Sequence, residues 1–284
     1  MSTIEKALAK KQSSHKVDIQ DSTENTIIND NVTQQSTTNN AITINKDDLI
    51  ERGFLIDTGK RNQIKEEFRH IKRKILNNAF GKAAKTLNHC NLVMFSSARP
   101  NEGKTFVSIN MALSIALEQD KSVLLIDADV LKPSVNKELG FENTIGLVDY
   151  LLNDELNVSN IIYDTNVDNL KIIPAGTPHH LSNELLASDK MESFAKELAS
   201  RYSDRIVIFD CPPLLGVTET LILTNFMGQA IVVVEESNTP IADVIRATED
   251  LNEDLALGLV LNKASRSHKD LYGYGYGYGY SEKA

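Results

Sequence analysis

Apolar residues along the chain fall into short runs that alternate with segments of helical periodicity. The runs NLVMFSSA, SVLLIDAD, LKIIPAG, RIVIFDCPP, QAIVVVEE and ALGLVLNK are rich in Val, Ile and Leu, as buried strands are. A helix is predicted from Gln63, because Ile64, Phe68, Ile71 and Ile75 repeat at spacings of four, three and four. Further helices are expected at 106–118, within IGLVDYLLN, at 181–202 and at 241–251.

This order of elements predicts an α/β fold. Strands that are apolar on both faces and alternate with helices form a mostly parallel central sheet with helices on both faces. In such sheets ligands bind beyond the carboxyl ends of the strands. The residues that end the strands are therefore the first candidates for chemistry.

The pattern stops at both ends of the chain. Residues 12–45 contain no Leu, Gly, Pro or aromatic residue, which predicts a disordered linker; a surface arm is the alternative. A short helix is expected before it, at residues 1–11. We therefore divide the chain into a helix and linker at 1–50, a domain at 51–265 and a flexible tail at 266–284.

The tail alternates Tyr with Gly. Five of the eight tyrosines of the chain lie in it, at Tyr272, Tyr274, Tyr276, Tyr278 and Tyr280. Glycine favours flexibility, and about ten extended residues span at most ~33–36 Å. A tyrosine hydroxyl on such a segment could therefore reach across an interface to a binding site on a neighbouring subunit. The alternative is a low-complexity segment that associates through its rings.

Composition and charge narrow the function classes. The net charge of -9 argues against a general nucleic-acid binder. No stretch approaches the ~20 apolar residues of a membrane span, and the first residues lack the apolar core of a secretory signal, so a cytoplasmic location is expected. Residues 60–85 carry nine Lys or Arg and two Glu, which predicts contact with an acidic surface of another copy, a partner or a membrane face.

A candidate phosphate loop follows the first apolar run. The sequence Ser96-Ser97-Ala98-Arg99-Pro100-Asn101-Glu102-Gly103-Lys104-Thr105 connects that strand to a helix. Backbone N–H groups at a helix N-terminus bind phosphate, and Lys104 would add a charge at the β and γ phosphates. The Thr105 hydroxyl would ligate Mg²⁺. Ala98 replaces the first glycine of the usual G-x-x-x-x-G-K-[ST] pattern and is compatible with it if its φ is negative.

Three carboxylates lie at the ends of predicted central strands. Asp127 and Asp129 follow VLLI, and Asp210 follows IVIF. An acid in this position beside a phosphate loop is the usual second anchor of Mg²⁺. One acid of the 127/129 pair would hold the metal and the other would accept a proton. A lone Asp at a strand end is often only a cap, but three beside Gly-Lys-Thr favour a catalytic cluster.

These motifs together resemble the bacterial protein-tyrosine autokinases (BY-kinases) of exopolysaccharide biosynthesis and export loci. The similarity is to their soluble, exosortase-associated type, found beside a separate membrane chain-length protein. It extends from about Glu66 to the C-terminus and rests on SSARPNEGKT, LLIDADVLKP, IVIFDCPP, ALGLVLNK and the Tyr-rich end. The sequence departs from the family at Leu131-Lys132, where Arg usually follows the acidic pair, and at Cys211, where a small hydroxylated residue is usual.

The resemblance implies a P-loop NTPase fold and a non-specific protein-tyrosine kinase that uses ATP and Mg²⁺. Lys104, Asp127, Asp129 and Asp210 would be catalytic, and the last three with Thr105 would organise the metal. The ATP-binding residues would be Arg99, Pro100, Asn101, Glu102, Gly103, Lys104, Thr105, Phe106 and Asn262. The phosphate acceptors would be the five tail tyrosines of another subunit.

The resemblance also implies partners. Glu66, Arg69 and Lys72 match the family's Glu-x-x-Arg-x-x-Arg helix motif, which forms subunit contacts in a ring; Lys replaces the last Arg, and Arg73 is adjacent. A solvated basic face is the alternative. A membrane chain-length or activator protein would recruit the chain to the inner face of the membrane, and a tyrosine phosphatase would reverse its reaction. The activity would regulate exopolysaccharide synthesis and export.

Two other functions remain open from the residues. A partitioning or division-site ATPase shares this fold, but it carries an extra Lys early in the phosphate loop where this chain has Arg99, and glycines where it has Pro100-Asn101. The Tyr-rich tail has no role in that class. A non-enzymatic adaptor that binds nucleotide and docks through the tail is the other alternative.

Overall fold

Each of the six apolar runs forms a strand of one eight-stranded sheet. The computed structural model describes residues 41–59, 63–201 and 204–265, all within the compact unit Asn39–Ala284. The strands are β1 (Ala41–Ile42), β2 (Leu92–Ser97), β3 (Ser122–Asp127), β4 (Tyr163–Thr165), β5 (Leu170–Ile173), β6 (Arg205–Asp210), β7 (Gln229–Glu235) and β8 (Ala256–Asn262).

The helices connect these strands along the chain. They are α1 (Lys46–Glu51), α2 (Gln63–Phe80), α3 (Lys104–Ala116), α4 (Val135–Leu139), α5 (Leu147–Leu152), α6 (Val158–Ile161), α7 (Ser182–Leu186), α8 (Asp189–Arg201), α9 (Thr218–Thr224) and α10 (Ile241–Glu249). A short 3₁₀ helix, Lys82–Lys85, follows α2.

The strand order is β1-β4-β5-β3-β6-β2-β7-β8. Every neighbouring pair is parallel except β4 and β5, which are antiparallel, so the predicted mostly parallel sheet is confirmed. The register pairs Asp127 with Asp210 and Phe95 with Asp210. The carboxyl ends of β2, β3 and β6 therefore meet at one edge, where the phosphate loop begins.

Two apolar clusters lie on opposite faces of the sheet. Val93 and Phe95 of β2 belong to the first, which also contains residues of α2 and α3. Leu92 and Met94 of the same strand belong to the second, which contains residues of α5 to α8. The alternation of one strand between two buried layers explains why the runs are apolar at every position.

The fold begins earlier than the predicted boundary at residue 51. Ala41–Ile42 pairs with β4, and Ile42 and Ile44 are buried although they fall in the predicted linker. The Asn166 side chain accepts a hydrogen bond from the Ile44 N–H and donates one to its carbonyl, each at 2.9 Å. The alternation of Ile42 and Ile44 is the signal that the composition of the linker obscured.

The helix expected at 181–202 is two helices, α7 and α8. Ser188 lies between them, and its hydroxyl accepts a hydrogen bond from the Met191 N–H at 3.2 Å. The same hydroxyl donates to the Leu185 carbonyl at 2.7 Å. Ser188 thus caps the start of α8, which is a local competition that apolar periodicity does not reveal.

Several predictions fall on residues that the structure does not describe. These are the helix at 1–11, the linker as far as residue 40 and the five tail tyrosines. Within the described ranges, none of the helices is both long and apolar enough to cross a lipid bilayer.

Candidate nucleotide site

The phosphate loop connects β2 to α3 and ends in a helix N-terminus. Gly103 precedes the first residue of α3 and has a φ of 91°, a left-handed conformation that glycine adopts without strain. Asn101 has a φ of 67°, which Asn tolerates better than most residues. Ala98 is not among the described residues with positive φ, so its replacement of glycine introduces no backbone strain.

The buried carboxylate of Glu102 holds the phosphate loop in place. Glu102 is 2% exposed; its side chain accepts hydrogen bonds from the Arg99 N–H at 2.8 Å and from the Thr239 hydroxyl. The Asn262 amide donates to the Glu102 carbonyl at 2.9 Å. The Arg99 guanidinium pairs with Asp243 on α10. The side chains of Arg99, Glu102 and Asn262, all predicted to bind ATP, thus bond within the protein and hold the loop in place.

We expect Gly103→Ala to destabilise the protein more than Gly216→Ala. Both glycines have similar φ values, 91° and 88°, but a Cβ at Gly103 would lie 2.2 Å from Asn262 Nδ2 whereas one at Gly216 meets nothing within 4 Å. The left-handed conformation costs about 1–2 kcal/mol in both variants. In the first, the Asn262 amide must also move and lose its hydrogen bond to the Glu102 carbonyl, which adds about 0.5–1.5 kcal/mol. Urea unfolding without nucleotide measures the difference, and equal losses would contradict the close approach of Asn262.

Lys104 and Thr105 meet the strand-end acids. Lys104 Nζ lies 2.6 Å from Asp129 Oδ2 and 3.9 Å from Asp210 Oδ2. The Thr105 hydroxyl donates to Asp210 Oδ2 at 2.7 Å. Burial acts to lower the pKa of Lys104, but the charges of Asp210 and Asp129 outweigh it and raise the pKa above its ordinary value. The ammonium therefore remains charged in the site.

Asp127 organises the loop that follows β3. Its Oδ2 accepts the N–H groups of Ser134 and Val135 at 3.1 and 3.0 Å, and its Oδ1 accepts the Asp129 N–H at 3.2 Å. Burial, and then the charge of Asp210, raise the pKa of Asp127 to about 8. The two acids of the pair thus have different surroundings. Asp129 pairs with Lys104 and accepts the Lys132 N–H, whereas Asp127 accepts three backbone N–H groups.

Asp210 is a buried carboxylate with one oxygen that no described residue satisfies. It is fully buried, and its Oδ1 accepts no hydrogen bond from the described residues. Burial raises the pKa of its carboxyl, against the opposing effect of the Lys104 charge. No three His, Cys, Asp or Glu side chains of the described ranges form a metal site by themselves. Mg²⁺ fits this arrangement, because it typically takes one or two protein oxygens together with phosphate and water.

A pocket of about 580 Å³ opens above this cluster. Its volume lies within the range of small-molecule sites. Of the predicted site residues, those that line it are Pro100, Asn101, Gly103, Lys104, Thr105, Phe106 and Asp129, whereas Asp127 and Asp210 are not among its lining residues. The other lining residues were not predicted from the sequence: a wall from the loop after β3, formed by Leu131, Lys132, Pro133, Ser134, Lys137 and Glu138, together with Pro212, Pro213, Leu215, Gly216 and Val217.

Ser134 is the most informative of the missed residues. Its hydroxyl lies 2.8 Å from Thr105 Oγ1, so Ser134 forms a hydrogen bond with a residue that was predicted to bind the metal. The only sequence signal for it is a hydroxylated residue after Pro133 in the loop that follows the two acids.

Cys211 is fully buried in the second apolar cluster, and burial raises the pKa of its thiol well above the ordinary value, as expected for a small core residue.

The three predicted subunit-contact residues of α2 differ in how far their side chains are exposed to solvent. Arg69 is exposed and pairs at 2.9 Å with Glu66, which is half-buried. Lys72 is buried; its ammonium donates to the Ser114 carbonyl at 2.9 Å and pairs with Glu118 at 2.5 Å. Lys72 thus joins α2 to the end of α3 within one subunit, and the neighbouring Arg73 is exposed.

The chain is similar in sequence to known proteins. The family described as AAA domain matches residues 91–255. Tyrosine-protein kinase YwqD of Bacillus subtilis is 31% identical over 235 residues, which cover 82% of this chain and 95% of that protein. Tyrosine-protein kinase ptk of Acinetobacter johnsonii is 32% identical over 62% of this chain, which spans only 24% of that longer relative.

Solved structures show the same architecture. The chimerical protein CapA2B2 superimposes with a TM-score of 0.65 at 25% identity, covering 79% of this chain and 93% of that one. The septum site-determining protein MinD of Pyrococcus horikoshii, solved with Mg-ADP, has a TM-score of 0.51 at 25% identity over 63% of this chain and 72% of its own. The predicted P-loop NTPase fold is confirmed.

Proposed function

The chain belongs to the family of bacterial tyrosine-protein kinases, and from this premise we propose that it transfers the γ-phosphate of ATP to the tyrosines of its own C-terminal segment. One observation carries the proposal. Lys104, Thr105, Asp129 and Asp210 come together beside the pocket at the N-terminus of α3, where free backbone N–H groups are able to bind a phosphate.

The residues of the site divide the work of binding. The loop amides and Lys104 would hold the phosphates, for which Lys104 must exchange Asp129 for phosphate oxygens. Thr105 and Asp210 would hold Mg²⁺, whose charge offsets that of the phosphates during transfer. Positioning and charge stabilisation supply most of the rate acceleration in this chemistry.

The transfer step requires one proton acceptor. The tyrosine oxygen forms a bond to the γ-phosphorus while the bond from that phosphorus to the β–γ bridging oxygen breaks, and ADP leaves with the electron pair. The phenolic proton passes to one carboxylate of the pair Asp127 and Asp129, and the other would help Thr105 and Asp210 to hold Mg²⁺. Free tyrosine has a pKa near 10, so a base is needed at neutral pH.

We propose that the acceptor tyrosines belong to another copy of the chain in a ring. Arg69, exposed on α2, and its partner Glu66 are the proposed contact residues; Lys72 supports them by fixing α2 to α3. A membrane chain-length or activator protein would bring the ring to the inner face of the membrane, and a tyrosine phosphatase would reset it. The role of this cycle is the control of exopolysaccharide synthesis and export.

A mixing experiment tests the direction of transfer. One chain carries Lys104→Met with its tail intact, and the other is active but has its five tail tyrosines changed to Phe. After incubation with ATP and Mg²⁺, mass spectrometry is expected to find phosphate on the tail of the Lys104→Met chain. Labelling of the wild type without labelling of the mixture would contradict transfer between copies; an unlabelled wild type would contradict the kinase proposal.

The same mixture tests the α2 contact. Arg69→Ala in both chains is expected to slow transfer between them by about tenfold or more, since it removes a proposed interface cation. Arg201→Ala is the matched control, because Arg201 is an exposed arginine that pairs with Glu197 one turn away on α8. Equal effects of the two substitutions would contradict the contact.

The partitioning ATPase is the weaker proposal. Its additional loop lysine is replaced by Arg99, whose guanidinium pairs with Asp243 of the same chain. Steady ATP hydrolysis coupled to dimerisation, without any tyrosine phosphate, would favour that class instead.

A further inference from the structure

A stripe of leucines is exposed on the last strand of the sheet. β8 lies at the edge of the strand order, and Leu257, Leu259 and Leu261 are 46%, 59% and 58% exposed. We call these three residues the leucine stripe. Solitary exposed leucines are common, but three at a spacing of two on one strand form a continuous apolar surface.

The register shows which face of the sheet carries the stripe. Leu257, Leu259 and Leu261 pair with Ala230, Val232 and Val234 of β7. Ala230 and Val232 are buried in the second apolar cluster, and Val234 packs against it. Since paired residues point to the same face, the stripe continues that core beyond the point where described helices cover it.

The backbone of the stripe also faces outward. The Ala256 N–H donates to the Gly228 carbonyl, and the Asn262 carbonyl accepts the Glu236 N–H, both at 3.0 Å. Residues with this parity bond to β7, so the alternate residues of the stripe direct their N–H and C=O groups away from it. Within the described part of the chain, β8 has no strand on that side. This edge offers hydrogen bonds and an apolar face to an added strand.

The tail has the matching period. In 272–280 every second residue is Tyr and the others are Gly, so all five rings would lie on one face of an extended strand. The nine residues 263–271 separate it from the end of β8, which is a connection long enough to reverse direction. Residues 266–284 contain no proline, so each can donate to a ladder, and nine residues are enough to run along the seven of β8.

We propose that the Tyr-Gly segment of the same chain docks antiparallel on the outer edge of β8, with its rings packed on the leucine stripe. The opposite facing, one residue out of register, would leave the stripe exposed and is disfavoured. Shifts by two residues are equivalent, because the repeat is regular. At most three of the five tyrosines cover the stripe at once, so the remaining two extend beyond it.

Attachment to the same chain favours this occupant over a second copy. The segment begins ten residues after Asn262, so its local concentration at β8 is high whatever the protein concentration. Glycine makes the added strand weak, so docking would be reversible. The proposal does not depend on kinase activity, because it concerns the chain without nucleotide.

Hydrogen exchange tests the docking in the full-length protein without ATP. Exchange at the amides of Leu257, Leu259 and Leu261 is expected to be about tenfold slower in the wild type than in a chain with the five tail tyrosines changed to Ser. Leu259→Lys should remove the same protection, whereas Leu152→Lys, at a leucine of similar exposure on α5, should not.

Three outcomes would overturn the proposal. The first is equal exchange of the stripe amides in the wild type and the Ser variant. The second is loss of protection in the Leu152→Lys control. The third is protection that increases with protein concentration, which would assign the edge to a second copy of the chain.

Discussion

Replacing Lys104 by Met is expected to lower the rate of tyrosine phosphorylation by about three orders of magnitude. The ammonium is the one side-chain cation of the described residues that lies between Asp129 and Asp210, 2.6 Å from the first and 3.9 Å from the second. Without it, the negative charge that develops on the transferred phosphoryl group faces Asp129 and Asp210 without the ammonium that lies against both. The initial rate of phosphate incorporation, measured by mass spectrometry at saturating ATP, gives the effect.

Lys171→Met is the control for this substitution. Lys171 lies on β5 and forms an exposed pair with Asp164, so its removal should leave the rate unchanged. Nucleotide binding by the Lys104→Met protein should be weakened far less than the rate, because the loop amides remain. A rate within tenfold of the wild type would contradict the role of Lys104.

Asp210→Asn is expected to lower the same rate by about 10²–10³-fold while raising the thermal stability of the nucleotide-free protein. The loss of rate follows from removing a proposed metal ligand that also accepts the Thr105 hydroxyl. The gain in stability follows because burial raises the pKa of Asp210, so the folded protein disfavours the charged carboxylate at neutral pH. A neutral side chain of equal size removes that cost.

The opposite signs of the two effects make this variant informative. Calorimetry without nucleotide gives the unfolding midpoint, and a titration with Mg²⁺ at fixed ATP gives the metal requirement of the reaction. The wild type should be stabilised by Mg-ATP and the variant much less so. A variant that is less stable and equally responsive to Mg²⁺ would contradict the assignment of Asp210 as a ligand.

The long strands of the fold were predictable because both of their faces are buried. β2, β3 and β6 are apolar along most of their length, so they could be predicted as strands without deciding which of their faces is buried. β1 and β4 have two and three residues, too few for a periodic pattern, and they form because neighbouring strands pair with them. Asn166 then holds the backbone of Ile44, two residues after β1. Lys72 illustrates the same limit, since its burial depends on Ser114 and Glu118, more than forty positions away.

The candidate site was predictable where the sheet determines it. Lys104, Thr105 and Asp210 converge because β2 and β6 are neighbours and both end at the same edge. The wall at 131–138 was not predictable, because it is positioned by Asp127 accepting the Ser134 and Val135 N–H groups. The side chains of Arg99 and Glu102 turn toward Asp243 and Thr239, contacts that no local spacing encodes.

The chain enters its sheet at one border and leaves it at the other. β1, which begins the described fold, and β8, from which the tail departs, are the two outermost of eight strands. Seven steps of about 4.8 Å separate them by roughly 34 Å. A protein that binds the chain beside Ala41 and one that acts on it beyond Asn262 would therefore contact opposite edges of the sheet. Each could bind and dissociate without displacing the other.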